Sequence, residues 1–187
     1  MSYSHRTLLT KLQRRQKSHD EQSHQDILSE NMYVRLKHMT LHFFKYASKI
    51  NTAKKTDDAE LLRKTVIDSI IICLASANTL RIFLDDYHQS SAKNITDLCL
   101  ELSSHKTQAD SAAVYSEILE SLLTHGGKMA KIMESTDHME AGNPRVEMST
   151  LVPLLTFDLL KHVTTLDIQL EAAMEKRFHA IETNFTL

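Results

Sequence analysis

The sequence predicts an all-α protein built as a four-helix bundle, and three observations carry that expectation. Only three Gly and two Pro occur in 187 residues, too little turn chemistry for a multi-stranded sheet. Apolar residues recur at helical spacing through four long segments. The two halves of the chain also read alike, each as a long helix, a short turn and a second long helix.

Residues 1–25 form a basic arm: Arg6, Lys11, Arg14, Arg15 and Lys17 precede the first acid, Asp20. That pattern suits a solvated, frayed terminal helix, and it is shared by nucleic-acid-binding arms and transit peptides. The first helical hairpin spans 26–90. Its opening helix covers 27–50, with Met32, Leu36, Met39, Phe43, Ala47 and Ile50 in register. A polar stretch over 51–56 follows, and Asp57 with Glu60 reads as a capping box that starts the next helix. That helix runs over 58–87 and presents Val66, Ile70, Cys73, Leu74, Ala77 and Leu80 to the core.

Residues 91–110 are a connector holding a short apolar helix near 95–102. The second hairpin spans 111–187 and packs with the first as one compact unit. Its opening helix covers 111–134, with Ala113, Ile118, Leu122, Met129, Ile132 and Met133 as the apolar stripe. Gly126 and Gly127 interrupt it, which predicts either a bend or a neighbouring backbone close enough to exclude a Cβ. Asn143-Pro144 is a strong helix start, an Asn cap with Pro in the first turn. The final helix covers 144–182, with an irregularity at Pro153 and with Leu154, Phe157, Leu160 and Leu166 buried.

A net charge of −2 provides no global field for nucleic acid or an anionic membrane. The most apolar stretch, Val66–Leu84, is interrupted by Asp68, Asn78 and Arg81, which suits a core helix rather than a membrane span. A cytoplasmic protein without a membrane partner is expected. Cys73 and Cys99 lie in apolar helical segments with no CxxC, so they read as buried thiols, with neither disulfide nor zinc indicated. Glu134, Asp137, His138 and Glu140 read as a solvated turn, and Asp85, Asp86 and His88 as surface. No Gly-rich phosphate loop, nucleophile elbow, HExxH or di-iron pattern is present.

The internal repeat is specific in two places. Leu41-His42-Phe43-Phe44-Lys45-Tyr46-Ala47 aligns with Thr124-His125-Gly126-Gly127-Lys128-Met129-Ala130. Ala77-Asn78-Thr79-Leu80-Arg81-Ile82-Phe83-Leu84-Asp85 aligns with Val163-Thr164-Thr165-Leu166-Asp167-Ile168-Gln169-Leu170-Glu171. At these residues the chain resembles the MazG-like, all-α nucleoside triphosphate pyrophosphohydrolases, over roughly 32–90 and 115–184. That family's pattern is Glu-x-x-Glu on one helix, Glu-x-x-Asp on the next, then a Leu-Gly-Ile-Asp-Leu-Glu-Glu-like string, and Gly127 falls on its glycine in Glu-Leu-Gly-Glu.

Carried over position by position, the first glutamate pair falls on His42 and Lys45, then on His125 and Lys128. The Glu-x-x-Asp pair falls on Thr65 and Asp68, then on Thr150 and Pro153. Asp68 alone keeps an acid, and it could pair with Lys45 or Lys128. The family chemistry needs Mg²⁺ held by several oxygen ligands, which these positions do not supply. The resemblance therefore implies a pseudoenzyme that requires no cofactor or metal and serves as a ligand- or partner-binding module. His42, Lys45, Thr65, Asp68, His125, Lys128 and Thr150 are its candidate ligand-binding residues. A phosphate-bearing small molecule, a protein partner or a second copy of the chain is the expected occupant. Two alternatives stand beside it: a Mg-dependent enzyme using displaced acids such as Glu60, Glu147 or Asp158, and an unrelated structural or regulatory helical protein whose basic N-terminus meets nucleic acid or a partner.

Overall fold

The computed structural model describes residues 8–103 and 111–183. Arg6, residues 104–110 of the connector and the end of the second hairpin beyond 183 lie outside the described residues. Among the described residues there is no strand, and the helices are α1 (Leu8–Ser23), α2 (Gln25–Leu28), α3 (Met32–Thr56), α4 (Ala59–Leu80), α5 (Ile95–Ser103), α6 (Ser111–Asp137), α7 (Pro144–Leu160) and α8 (Leu170–Glu182). The bundle core consists of α3, α4, α6 and α7: α3 packs on α4 and α6, and α7 packs on α4 and α6. The all-α architecture is the one the composition predicts.

The face assigned to α4 is the buried one, with Val66, Ile70, Cys73, Leu74, Ala77 and Leu80 all at 0–1% exposure. Cys73 and Cys99 are free, buried thiols, and burial pushes both up to about 12. In α7 the buried stripe is Met148, Val152, Leu155, Leu159 and Leu160. Leu154 is 49% exposed, against expectation, because Val152 and Leu155 define the inward face and Leu154 lies beside it.

The helix ends depart from the sequence reading. Three helices of the hairpins, α3, α4 and α6, end at or just before a non-glycine residue in the left-handed region, Asp57 (φ 50°), Arg81 (φ 59°) and Met139 (φ 56°), whereas α7 ends at Leu160 with Lys161 right-handed (φ −56°) and Asp167 (φ 52°) closes the turn that follows it. α3 therefore runs through the polar 51–56 stretch to Thr56, and the cap of α4 is Asp58, whose side chain accepts from Leu61 N at 2.9 Å, rather than Asp57. α4 ends at Leu80, not near 87, and the predicted 144–182 helix is two helices, α7 and α8.

Arg81 and Asp167 fall on equivalent positions of the repeat. Ile82 N donates to Ala77 O at 3.1 Å, and Ile168 N donates to Val163 O at 3.0 Å, the same six-residue closure that ends helices at left-handed residues. Asn143 caps α7 by accepting from Val146 N at 3.2 Å. Residues 27–31 precede α3, whose cap is Asn31 accepting from Val34 N at 3.1 Å.

Gly126 and Gly127 cause no break, since α6 stays helical through them. A Cβ on Gly126 would meet Phe43 Cβ at 3.6 Å, an ordinary contact, and one on Gly127 would meet nothing within 4 Å. Neither excludes a methyl group, so the predicted steric requirement is absent. Pro153 is buried within α7, which stays helical across it.

Residues 8–23 are not a solvated arm. α1 packs along α4 and α8 and buries Leu9 and Leu12 together with Gln13, Gln16 and His19. Gln13 takes the place of lost helix hydrogen bonds beyond the α4 stop. Its Nε2 donates to Ile82 O at 2.9 Å and its Oε1 accepts from Leu84 N at 3.0 Å. Asn78 Nδ2 returns a bond to Gln13 O at 2.8 Å. Asp85 is likewise not a bare surface acid: its carboxylate accepts from Leu9 N, Thr10 N and Thr10 Oγ1 and so caps α1 from 75 residues away. The basic side chains of α1 meet the acids of α8, Lys11 with Glu171 at 2.9 Å and Arg15 with Glu175 at 2.8 Å.

Candidate functional site

α1, α3, α4 and α8, with the α1–α2 junction at the rim, enclose a cavity of about 410 Å³. One face of α3 lends it His38, His42, Lys45 and Lys49, α4 lends Asp68, and α8 lends Arg177. The residues before α2 add His19, Asp20 and His24. His42, Lys45 and Asp68, three of the seven candidate ligand-binding residues, therefore line one space.

Their chemistry differs from the sequence reading. Lys45 Nζ lies 3.0 Å from His42 Nδ1 and can only donate, so that nitrogen accepts and the ring proton sits on Nε2. Nε2 lies 3.1 Å from His38 Nε2, to which it donates. Burial, reinforced by the Lys45 charge, pushes His42 down to about 4, so it is a neutral imidazole at pH 7 rather than a cation. Burial and then repulsion from Lys49 push the Lys45 amine down. Asp68, 4% exposed, pairs with neither Lys45 nor Lys128. Its partner is Arg177, with Nε at 2.5 Å and Nη2 at 3.3 Å.

The other candidates go elsewhere. Thr65 is buried and donates to Leu61 O of its own helix at 2.7 Å. Lys128 and Thr150 are exposed and line neither this cavity nor the second cleft. His125 sits in that second cleft, about 300 Å³, between α6 and α7. There its Nε2 lies 2.9 Å from Asp158, which also accepts from Lys161 at 2.5 Å. The hydrogen bond with His125 holds Asp158 down at about 2. Equivalent positions of the repeat thus carry a neutral histidine in one half and a carboxylate-bound histidine in the other. Glu60 and Glu147 are exposed and share no lining with Asp158, so the displaced acids do not converge on one cleft.

A third hollow, about 950 Å³, lies on the far side of the Gln16–Asp20 pair, between α1, the start of α3 and the α4 stop. Arg14, Lys17, Arg35, Arg81 and Arg145 line it, against Asp20, Glu21 and Glu30. Lys17 faces Glu21 at 3.6 Å. Burial pushes the Asp20 carboxyl up and the Arg35 guanidinium down. Arg35 Nε is shut off from solvent with no hydrogen-bond partner, a costly state for a guanidinium N–H. Arg145 Nη2 donates to Leu80 O at 3.2 Å beside it.

No family model matches the chain, and no curated protein or solved structure matches it significantly. The site's chemistry thus rests on its own residues.

Sequence reasoning missed His19, Asp20, His24, Arg177 and the arginine hollow. A signal for the first three existed in the spacing of Leu9, Leu12, Gln13, Gln16 and His19, a helical stripe that becomes visible once glutamine is allowed as a buried residue. Nothing in the sequence brings Arg81 and Arg145, from different hairpins, to one hollow. No helix among the described residues is long and apolar enough to cross a membrane.

Proposed function

We propose that this chain is a non-catalytic binding protein of MazG-like descent that holds a phosphate-bearing small molecule in its arginine-lined hollow. The observation that carries the reading is Arg35, whose Nε is buried without a partner in a hollow it shares with Arg14, Arg81 and Arg145. Guanidinium groups present fixed donor forks that match phosphate oxygens, and an anion between them would complete Arg35 and relieve the like-charge crowding. The positions that correspond to the family's acids support the non-catalytic part. They carry His42, Lys45, Thr65, His125, Lys128, Thr150 and Pro153, and the one acid, Asp68, is engaged by Arg177. The basic N-terminal residues favour this reading over a nucleic-acid arm, since Lys11 and Arg15 are tied to Glu171 and Glu175.

Melting curves of the parent with inorganic phosphate, ADP and ATP, with and without Mg²⁺ or Mn²⁺, test the proposal. A ligand at about a hundred times its Kd stabilises by about 2.7 kcal/mol, a rise of about 5–10 °C for a chain of this size. Arg14→Ala and Arg145→Ala, both exposed positions, should abolish the rise; Arg14→Ala should leave the ligand-free midpoint unchanged, and Arg145→Ala, which also removes the bond to Leu80 O, is compared with its own ligand-free midpoint. A pyrophosphate-release assay belongs in the same series. Turnover of any nucleoside triphosphate would replace this reading with the active-enzyme one, and no ligand-dependent shift would refute it.

A further inference from the structure

Separate from the arginine hollow, the cavity behind it contains a second constellation. We propose that His19, Asp20 and His24 bind one divalent transition-metal ion of the zinc class, with its remaining coordination position open to the cavity. Their donor atoms lie within 4.8 Å of one another. Closing a triangle of that size onto an ion with bonds of about 2.0–2.1 Å moves each donor inward by less than about 1 Å.

His19 is the residue that points to a ligand. Its side chain is 1% exposed, its ring is stacked on Phe178 at 4.4 Å, and its Nδ1 lies 2.9 Å from Glu182 Oε1. Its Nε2 is buried and has no hydrogen-bond partner. A carboxylate on one ring nitrogen fixes the tautomer and leaves the other nitrogen's lone pair for a metal, the usual arrangement around metal-bound histidine. Glu182 is itself oriented by Arg15, 3.6 Å away. Asp20 is oriented in the same manner, its Oδ2 accepting from Gln16 Nε2 at 2.5 Å. The ring of His24 stands edge-on to His19 at 5.5 Å. Two of the three donors thus have supporting groups that fix their direction, which an incidental surface cluster lacks.

The donor set selects the ion. Two imidazoles and a carboxylate suit Zn²⁺, Co²⁺ or Ni²⁺, whereas Mg²⁺ and Ca²⁺ prefer oxygen ligands throughout. His38, His42, Lys45, Asp68 and Arg177 line the same cavity as the three ligands.

The test uses the full chain without an affinity tag in phosphate-free buffer, titrated with Zn²⁺ by calorimetry and with Co²⁺ by visible absorption. One ion per chain is expected, with Co²⁺ bands that Zn²⁺ displaces and excess Mg²⁺ does not. His24→Ala and Asp20→Asn, at half-buried positions, should each weaken binding at least tenfold while keeping the helical circular dichroism of the parent. His138→Ala, at an exposed histidine on the α6–α7 turn, should leave it unchanged. Absence of binding by the parent, or binding that survives both His24→Ala and Asp20→Asn, overturns the site. The anion reading is tested separately, through Arg14 and Arg145, and His24→Ala is the variant that leaves its hollow untouched, since Asp20 lines both spaces.

Discussion

Replacing Arg177 by methionine keeps the aliphatic stem and removes the charge that faces Asp68. Asp68 is 4% exposed and accepts from Arg177 Nε at 2.5 Å, so the variant strands a carboxylate in a nearly closed space. Opposite charges about 4 Å apart attract by about 4 kcal/mol at an effective dielectric of about 20, and breaking a buried pair on one side costs about 3–5 kcal/mol. The lower end applies, because the Arg177 side chain is itself 31% exposed and Lys45 still faces Asp68. Arg177→Met should therefore destabilise by about 3 kcal/mol, a drop of about 6–12 °C in midpoint for a chain of this length. The double variant Asp68→Leu with Arg177→Met should return to within about 1 kcal/mol of the parent, since removing both members of a buried pair is far milder than removing one. Urea unfolding followed by circular dichroism on the parent, both single variants and the double variant measures the cycle. If Arg177→Met alone loses less than 1 kcal/mol, the pair is solvated and the picture of a closed, ion-paired cavity wall is wrong.

Three further outcomes can be measured on the same footing. His42 has a folded pKa of about 4 against 6.5 when unfolded, so the unfolded chain takes the proton first and stability falls as pH drops from 6.5 to 4. The full shift corresponds to about 3 kcal/mol, which the half-solvated position reduces to about 1–2 kcal/mol. Unfolding curves at pH 7, 5 and 4 should show this loss and His42→Gln should flatten it, whereas Asp158, held at about 2, loses its contribution only as pH falls from the ordinary carboxylate range through 2. Gly127→Ala should raise stability by about 0.5–1 kcal/mol, since a mid-helix glycine is unfavourable by that amount and a Cβ there meets nothing; a decrease in a chemical melt would contradict the geometry. Gln13→Ala should cost about 2–3 kcal/mol by leaving Leu84 N and Ile82 O without their partner, and amide exchange at Leu84 should accelerate, an effect whose absence would show that water substitutes for the side chain.

The bundle was legible because its signals are local and periodic. The stripe on α4 needs only the spacing of Val66, Ile70, Cys73, Leu74, Ala77 and Leu80, and the start of α7 needs only Asn143 and Pro144. The left-handed residues Asp57, Arg81, Met139 and Asp167 were not legible, because such a conformation is anticipated at glycine or asparagine and none of these is either. At Arg81 the buried Leu84 and the Gln13 amide hold the chain in its course beyond the stop, and both effects are tertiary. The docking of α1 was hidden for the same reason: its buried face is largely Gln13, Gln16 and His19, and its cap, Asp85, comes from another part of the chain. At the site, three of the seven candidates, His42, Lys45 and Asp68, line one space, while Thr65, His125, Lys128 and Thr150 do not line it. The repeat could not reveal that α8 supplies the counter-ion, or that only one half is covered by α1.

That cover joins opposite ends of the polypeptide. Each hairpin pairs helices adjacent in the chain, whereas the His19–Glu182 contact spans 163 residues. Loop-closure entropy makes long-range contacts late events in assembly. The contact between α1 and α8 that completes the wall around His19, Asp20 and His24 is accordingly expected to form after the hairpins, which pulsed amide exchange during refolding would check. Amide exchange in α1 and α8 should report a local opening free energy below that of α4, and the cavity would load and release its contents at the rate of that opening.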